Sequence, residues 1–167
     1  MMEIFWDELT SGLPTLTQLV HTVIRLTAAA LLGGLIGLQR ERAGKAAGLR
    51  THILVSLGTT VFVLAATGSG MSPDGVSRVI QGIVTGIGFL GAGAILKLNQ
   101  EREIQGLTTA AGIWVTAAIG VTAGLGGLGL ALLSTALTWV VLTVAGRLEG
   151  LRPPKPAQVS GRSGSTG

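Results

Sequence analysis

Polar residues that could do chemistry are few in this sequence, and most lie at the ends of long apolar runs. The densest group is QRERAGKAAGLRTH, residues 39–52, with four basic residues and one acid. Here Arg50 and His52 could reach the Glu41 carboxylate or a lipid phosphate, and Thr51 could cap the following helix. With polar residues from later segments, the candidate functional cluster is Arg40, Glu41, Arg50, Thr51, His52, Asp74, Arg78, Gln81, Thr108 and Thr109. The alternative is a plain orientation signal, which needs only basic residues in any order.

These residue types do not form a catalytic or metal-binding pattern. Cysteine is absent, and His21 and His52 are not spaced with acids as a metal site would require. Serines and threonines are frequent inside the apolar runs, where hydrogen bonding between helices is their usual role. We therefore expect neither an enzyme nor a site for a cofactor or metal.

A glycine pattern invites a nucleotide-binding interpretation, which the context opposes. The spacing G-x-G-x-x-G occurs twice, beginning at Gly86 and at Gly124. With 27 glycines in 167 residues such matches arise by chance, and neither follows a strand within a βαβ unit. No dinucleotide site is expected.

The composition is that of an integral membrane protein. Hydrophobic residues make up 47% of the chain and charged residues 12%, with a mean hydropathy of +0.62, whereas about a quarter of a soluble domain is charged. The net charge of +4 would suit a nucleic acid, but the basic residues cluster at the ends of apolar runs. The lipid bilayer is therefore the expected partner, and nucleic acid is not.

Five apolar runs predict an all-α membrane protein with five transmembrane helices, at residues 19–38, 52–67, 78–98, 107–123 and 128–145. They form one transmembrane domain over residues 19–146. Residues 1–18 are predicted to form an amphipathic segment, without the positive charge of a cleaved signal, and residues 147–167 a disordered tail.

The distribution of basic residues predicts the orientation of these helices. Ten of the twelve basic residues lie in the segments 39–52, 97–106 and 147–167, and basic segments stay in the cytoplasm. The N-terminus is therefore predicted outside and the C-terminus in the cytoplasm. Arg50 and Asp74 then lie on opposite sides and cannot form one site unless a loop folds inward.

The central run, residues 78–98, is predicted to be the helix against which the other spans pack. Small residues four apart let a second helix approach closely. The expected packing glycines are Gly33, Gly37, Gly82, Gly86, Gly88, Gly91, Gly93, Gly120 and Gly124. Within the first span, Arg25 is expected either to extend to the membrane surface or to face a polar cavity or subunit contact.

Cation transport is a second functional hypothesis. Mg²⁺ prefers hard oxygen ligands, so its pathways tend to show carboxylates or carbonyls near the centre of the membrane. None of the eight acids lies within a predicted span. A pore would therefore need backbone carbonyls or threonines at an oligomer interface.

Three motifs make the chain resemble the MgtC/SapB family of bacterial inner-membrane proteins. They are IGLQRERAGKAAGLRTHILVSLG at 36–58, GIGFLGAGAI at 86–95 and GLTTAAGIWVTAAIGVTAG at 106–124. The sequence departs from the family at Gln39, where Glu is common, and at Gly112, where Thr is frequent. The acidic loop is one residue longer than the usual Asp-Pro-Ser-Arg, and the chain is similar to short members without a soluble C-terminal domain.

The resemblance implies a five-span domain and an association with Mg²⁺ limitation and virulence. It also implies that some members restrain the rotary ATP synthase, which makes that complex a candidate partner, and we expect a homo-oligomer. The function expected is a non-enzymatic inner-membrane protein that modulates membrane or ion homeostasis through contacts with other membrane proteins. The alternative is an ion transporter or channel formed by an oligomer.

Overall fold

The computed structural model describes residues 1–11, 15–95 and 106–150, and these form six α-helices. In chain order they are α1 Met2–Ser11, α2 Leu16–Arg42, α3 Leu49–Gly68, α4 Pro73–Ile95, α5 Leu107–Gly124 and α6 Leu128–Gly150. Residues 147–150 of the predicted disordered tail belong to α6, whereas residues 151–167 lie outside the described residues. Residues 97–105 of the basic segment after α4 also lie outside them.

Four of these helices, α2 to α5, are long and apolar enough to cross a membrane, and α6 contains a shorter apolar segment, Leu128–Val144. The predicted all-α, multi-pass membrane class is therefore confirmed.

The residues at the start of α2 show why the helix begins at Leu16. Thr15 Oγ1 accepts a hydrogen bond from the Gln18 backbone N–H at 3.3 Å, and the Gln18 side chain accepts one from the Thr15 N–H at 2.9 Å.

The centre of the bundle is formed by α2, α3 and α5, with α4 and α6 packed around them. Its fully buried apolar side chains include Ile36 of α2, Val63 of α3 and Ile119 of α5. Glycines bring these helices close together, because a Cβ atom on Gly37 would lie 2.7 Å from the Leu49 Cα atom. Gly33, Gly120 and Gly124 lie at equally close contacts with α3.

The central span is not the helix around which the others pack. In α4 only Ile87 and Gly91 are buried, and Gly91 makes an ordinary contact, at 3.6 Å from its ideal Cβ position to the Ala110 Cβ atom. A Cβ atom on any of the other predicted packing glycines of α4 would meet no described neighbour within 4 Å; these are Gly82, Gly86, Gly88 and Gly93. Small residues permit close approach but do not select the helix that approaches.

Candidate functional site

A buried polar cluster lies where α2 ends and where α3 and α5 begin, which we call the basic end of the bundle. Arg40 is only 3% exposed, and its guanidinium donates a 3.0 Å hydrogen bond to the Thr109 hydroxyl at the start of α5. His52 and Ser56 of α3 are fully buried beside it. The last turn of α2 thus places a cation between two other helices.

His52 is held by the backbone at the start of its own helix. Its Nδ1 atom lies 2.9 Å from the Gly48 carbonyl oxygen, which can only accept, so Nδ1 carries the proton. The other ring nitrogen, Nε2, faces Gly112 of α5, where a Cβ atom would lie 3.6 Å away. Nε2 and the Ser56 hydroxyl are buried without a hydrogen-bond partner in the described part of the chain.

The residue that caps α3 is Glu41 rather than Thr51. The Glu41 carboxylate accepts a 2.9 Å hydrogen bond from the Leu49 N–H, the first of the helix. Gly48 permits this approach, because a Cβ atom there would lie 2.7 Å from the same carboxylate oxygen. The expectation that Thr51 caps this helix is therefore wrong, since α3 begins before it. Arg50 is exposed on the first turn.

Hydroxyl groups in the middle of the bundle are used for helix packing. The Thr60 hydroxyl lies 2.8 Å from the Ser56 carbonyl oxygen of its own helix and 2.8 Å from the Gly120 carbonyl oxygen of α5, and these two acceptors share its one proton. Thr116 donates to the Gly112 carbonyl at 2.8 Å, and Thr59 donates to carbonyls of α3. These oxygens remain close to helix backbones instead of lining an open path.

The remaining predicted cluster residues lie elsewhere. Thr108 is exposed beside the buried Thr109, and Asp74, Arg78 and Gln81 are exposed on α4 near the opposite end of the bundle. The Gln81 amide makes only a long contact, 3.4 Å, to the Ser77 hydroxyl. The structure thus brings Arg40, His52 and Thr109 together and separates the residues of α4 from them.

Arg25 makes a specific contact with α5. Its guanidinium donates a 2.9 Å hydrogen bond to the Gly124 carbonyl at the end of α5, where a cation is favoured by the helix dipole. Gly126, with a φ of 87°, forms the following turn, and a Cβ atom there would lie 2.7 Å from Arg25. The observed contact is with the backbone of the same chain, so it shows neither the polar cavity nor the subunit contact that was one of the two expectations for Arg25.

The sequence alone does not single out the buried hydroxyl groups of Ser56 and Thr60. The one feature that indicates them is the frequency of serine and threonine in the predicted spans.

No group of three or more histidines, cysteines or acids that could hold a metal occurs among the described residues. The cluster offers the buried Arg40 guanidinium as a hydrogen-bond donor and, among the described residues, a buried His52 Nε2 atom without a hydrogen-bond partner. A guanidinium has donors only and therefore favours anionic or neutral oxygen groups.

Comparison with known proteins shows the family. The MgtC family matches residues 26–151. The chain is 46% identical over 132 residues to YhiD of Escherichia coli, which is named a putative magnesium transporter. The matched region covers 73% of this chain and 59% of YhiD. It is 41% identical over 136 residues to SrpB of Synechococcus elongatus, covering 75% of each chain.

The chain is also 47% identical over 104 residues to MgtC of Salmonella typhimurium, covering 62% of this chain but only 43% of that protein. The chain thus spans a little over half the length of YhiD and less than half that of MgtC. No solved structure matches it. The resemblance inferred from the three sequence motifs is confirmed, and the chain belongs to the MgtC family.

Proposed function

We propose that the chain is a non-enzymatic protein of the bacterial inner membrane that modulates Mg²⁺-linked homeostasis through contacts with other membrane proteins. The family and its magnesium-related relatives support the link to Mg²⁺. The candidate partners are a second copy of the chain and a membrane complex such as the rotary ATP synthase.

The buried guanidinium of Arg40 is the observation that carries this proposal. The Arg40 side chain is only 3% exposed and donates from α2 to the Thr109 hydroxyl of α5. A positive charge in a low-dielectric core repels a second cation strongly. A route for Mg²⁺ through this part of the bundle would therefore be unfavourable, whereas a rigid bundle with a polar end suits recognition by another protein.

The proposed topology has five spans, with α6 as the fifth, the N-terminus outside and the basic end in the cytoplasm. The apolar segment Leu128–Val144 supports the fifth span, and the basic residues of segment 39–52 support the orientation. A cysteine replacing Ser72, between α3 and α4, should react with an impermeant maleimide in intact cells. Reaction only after the cells are opened would reverse the orientation.

The alternative is that the chain transports a cation, which the name of its YhiD relative favours. A transporter depends on groups that line a path through the bilayer, whereas a modulator depends on its exposed surface. Arg50 is exposed at the basic end and makes no hydrogen bond or ion pair with another described residue. It is therefore free to bind a carboxylate or phosphate of a partner.

Arg50→Ala is expected to abolish the effect of the protein on growth at low Mg²⁺ while leaving its membrane level within about twofold of normal. An exposed charge contributes little to folding, typically below about 1 kcal/mol. The measurement is growth of a deletion strain carrying each variant, with protein quantified in the membrane fraction. Arg50→Lys, which keeps the charge but not the bidentate geometry, should retain part of the effect. Full growth with Arg50→Ala would contradict a role for this surface.

A further inference from the structure

A groove of about 540 Å³ runs between the C-terminal halves of α2 and α6. Leu35, Leu38, Gln39 and Arg42 line it from α2, and Trp139 and Thr143 from α6. It lies on the outside of the bundle, apart from the buried Arg40 cluster.

The polarity of the groove changes along its length. The α2 residues at 35, 38, 39 and 42 form one stripe on the helix, and the rise from Leu35 to Arg42 is about 10 Å. The stripe begins with two leucines and ends with an amide and a guanidinium. On α6, Trp139 precedes Thr143 by one turn towards the same end, and tryptophan favours the boundary between hydrocarbon and head groups.

Three hydrogen-bonding groups that line the groove have no hydrogen-bond partner among the described residues. The Gln39 Oε1 atom is buried without a hydrogen bond among the described residues. Neither the Arg42 guanidinium nor the Trp139 indole makes a hydrogen bond or ion pair to another described residue. The nearest acid in sequence, Glu41, is already occupied by the Leu49 N–H. The groove therefore offers two exposed donor groups, those of Arg42 and Trp139, beside a net positive charge.

We propose that this groove binds an anionic phospholipid of the cytoplasmic leaflet. The phosphate accepts from Arg42, which matches phosphate geometry with two parallel donors. The head group lies beside the Gln39 side chain, and an acyl chain lies along Leu35, Leu38 and the Trp139 ring. The placement in the cytoplasmic leaflet rests on the proposed orientation, but the groove and its chemistry do not.

The charge balance favours an anionic over a zwitterionic lipid. The head-group amine of a zwitterionic lipid would add a second cation beside Arg42, in a segment where residues 39–52 hold four basic residues and one acid. A free phosphate would satisfy Arg42 but would leave the apolar half of the groove unfilled. An anionic phospholipid fills both halves.

The test measures thermal unfolding of the full chain in detergent as lipid is added. Phosphatidylglycerol should raise Tm in a saturable way, and phosphatidylcholine with the same acyl chains should not. Arg42→Ala removes a charged hydrogen bond, commonly about 1.5 to 3 kcal/mol, so apparent lipid affinity should fall about tenfold or more. Gln39→Glu should also weaken binding, because it places a carboxylate beside the phosphate. Lys45→Ala, an exposed basic residue of the same segment outside the groove, should keep full affinity.

Three results would overturn the proposal. One is equal stabilisation by phosphatidylcholine, which would indicate a general lipid effect. Another is equal stabilisation by glycerol phosphate or inorganic phosphate, which would make the site one for soluble phosphate. The third is that Lys45→Ala and Arg42→Ala have the same lipid affinity, whether both lose affinity or neither does. This comparison requires that both variants are folded in the absence of lipid. Since the assay requires neither a cellular partner nor an orientation, its failure is distinguishable from failure of the proposed function.

Discussion

Alanine at Gly120 is expected to lower the free energy of unfolding by about 3 kcal/mol, the upper end for overpacking of a core. A Cβ atom on Gly120 would overlap with the Thr59 hydroxyl and the Ser56 carbonyl of α3. Separating α3 from α5 to relieve that overlap would break the 2.8 Å hydrogen bond from Thr60 to the Gly120 carbonyl. The added methyl group thus costs packing and a buried hydrogen bond together.

Gly86→Ala in α4 is the matched control. Both glycines lie inside a helix, but a Cβ atom on Gly86 would meet nothing within 4 Å among the described residues. Alanine there should leave stability unchanged or raise it by up to about 1 kcal/mol, since alanine favours helix. Denaturant unfolding of both variants in detergent measures the difference. A larger loss for Gly86→Ala than for Gly120→Ala would mean that α4, not α5, is the packed helix.

The amino-acid sequence predicts the membrane class and the approximate limits of the helices well, because uncharged apolar runs of bilayer length are rare in soluble proteins. It predicts the packing glycines only in part. Gly33, Gly37, Gly120 and Gly124 lie against another helix, whereas a Cβ atom on Gly82 or Gly86 would meet no atom of a described residue within 4 Å. Spacing shows that a helix face can be approached, whereas the partner is selected by long-range contacts such as the bond between Thr60 and Gly120.

The candidate site was predictable at the level of residue types rather than contacts. Arg40 and Thr109 are both in the predicted cluster, but their pairing joins residues 69 positions apart, a separation for which spacing offers no guide. The sequence suggests Thr51 as the cap of α3, but the Glu41 carboxylate takes that place. It accepts from the Leu49 N–H across the loop, where the backbone at Gly48 is extended. Asp74 and Arg78 were grouped with the cluster by residue type alone, and α4 holds them near the other end.

The second large effect concerns ion movement, of which the proposed function predicts none. At an effective dielectric constant of 20, two unit charges 4 Å apart repel by about 4 kcal/mol, and a divalent ion doubles this to about 8 kcal/mol. These values show only the scale of repulsion between cations; we expect a buried guanidinium such as that of Arg40 to disfavour a Mg²⁺ ion beside it. The buried threonine hydroxyls offer little compensation, because Thr60 and Thr116 donate to helix carbonyls.

Mg²⁺ uptake into proteoliposomes is the most direct measurement of the central claim. Full-length protein is reconstituted at several protein-to-lipid ratios, and influx is followed with an enclosed Mg²⁺-sensitive dye. We expect influx equal to that of protein-free vesicles at every ratio. Saturable influx that rises with protein content and falls with Gln81→Leu, Thr85→Val or Thr109→Val would contradict the account and identify the chain as a transporter.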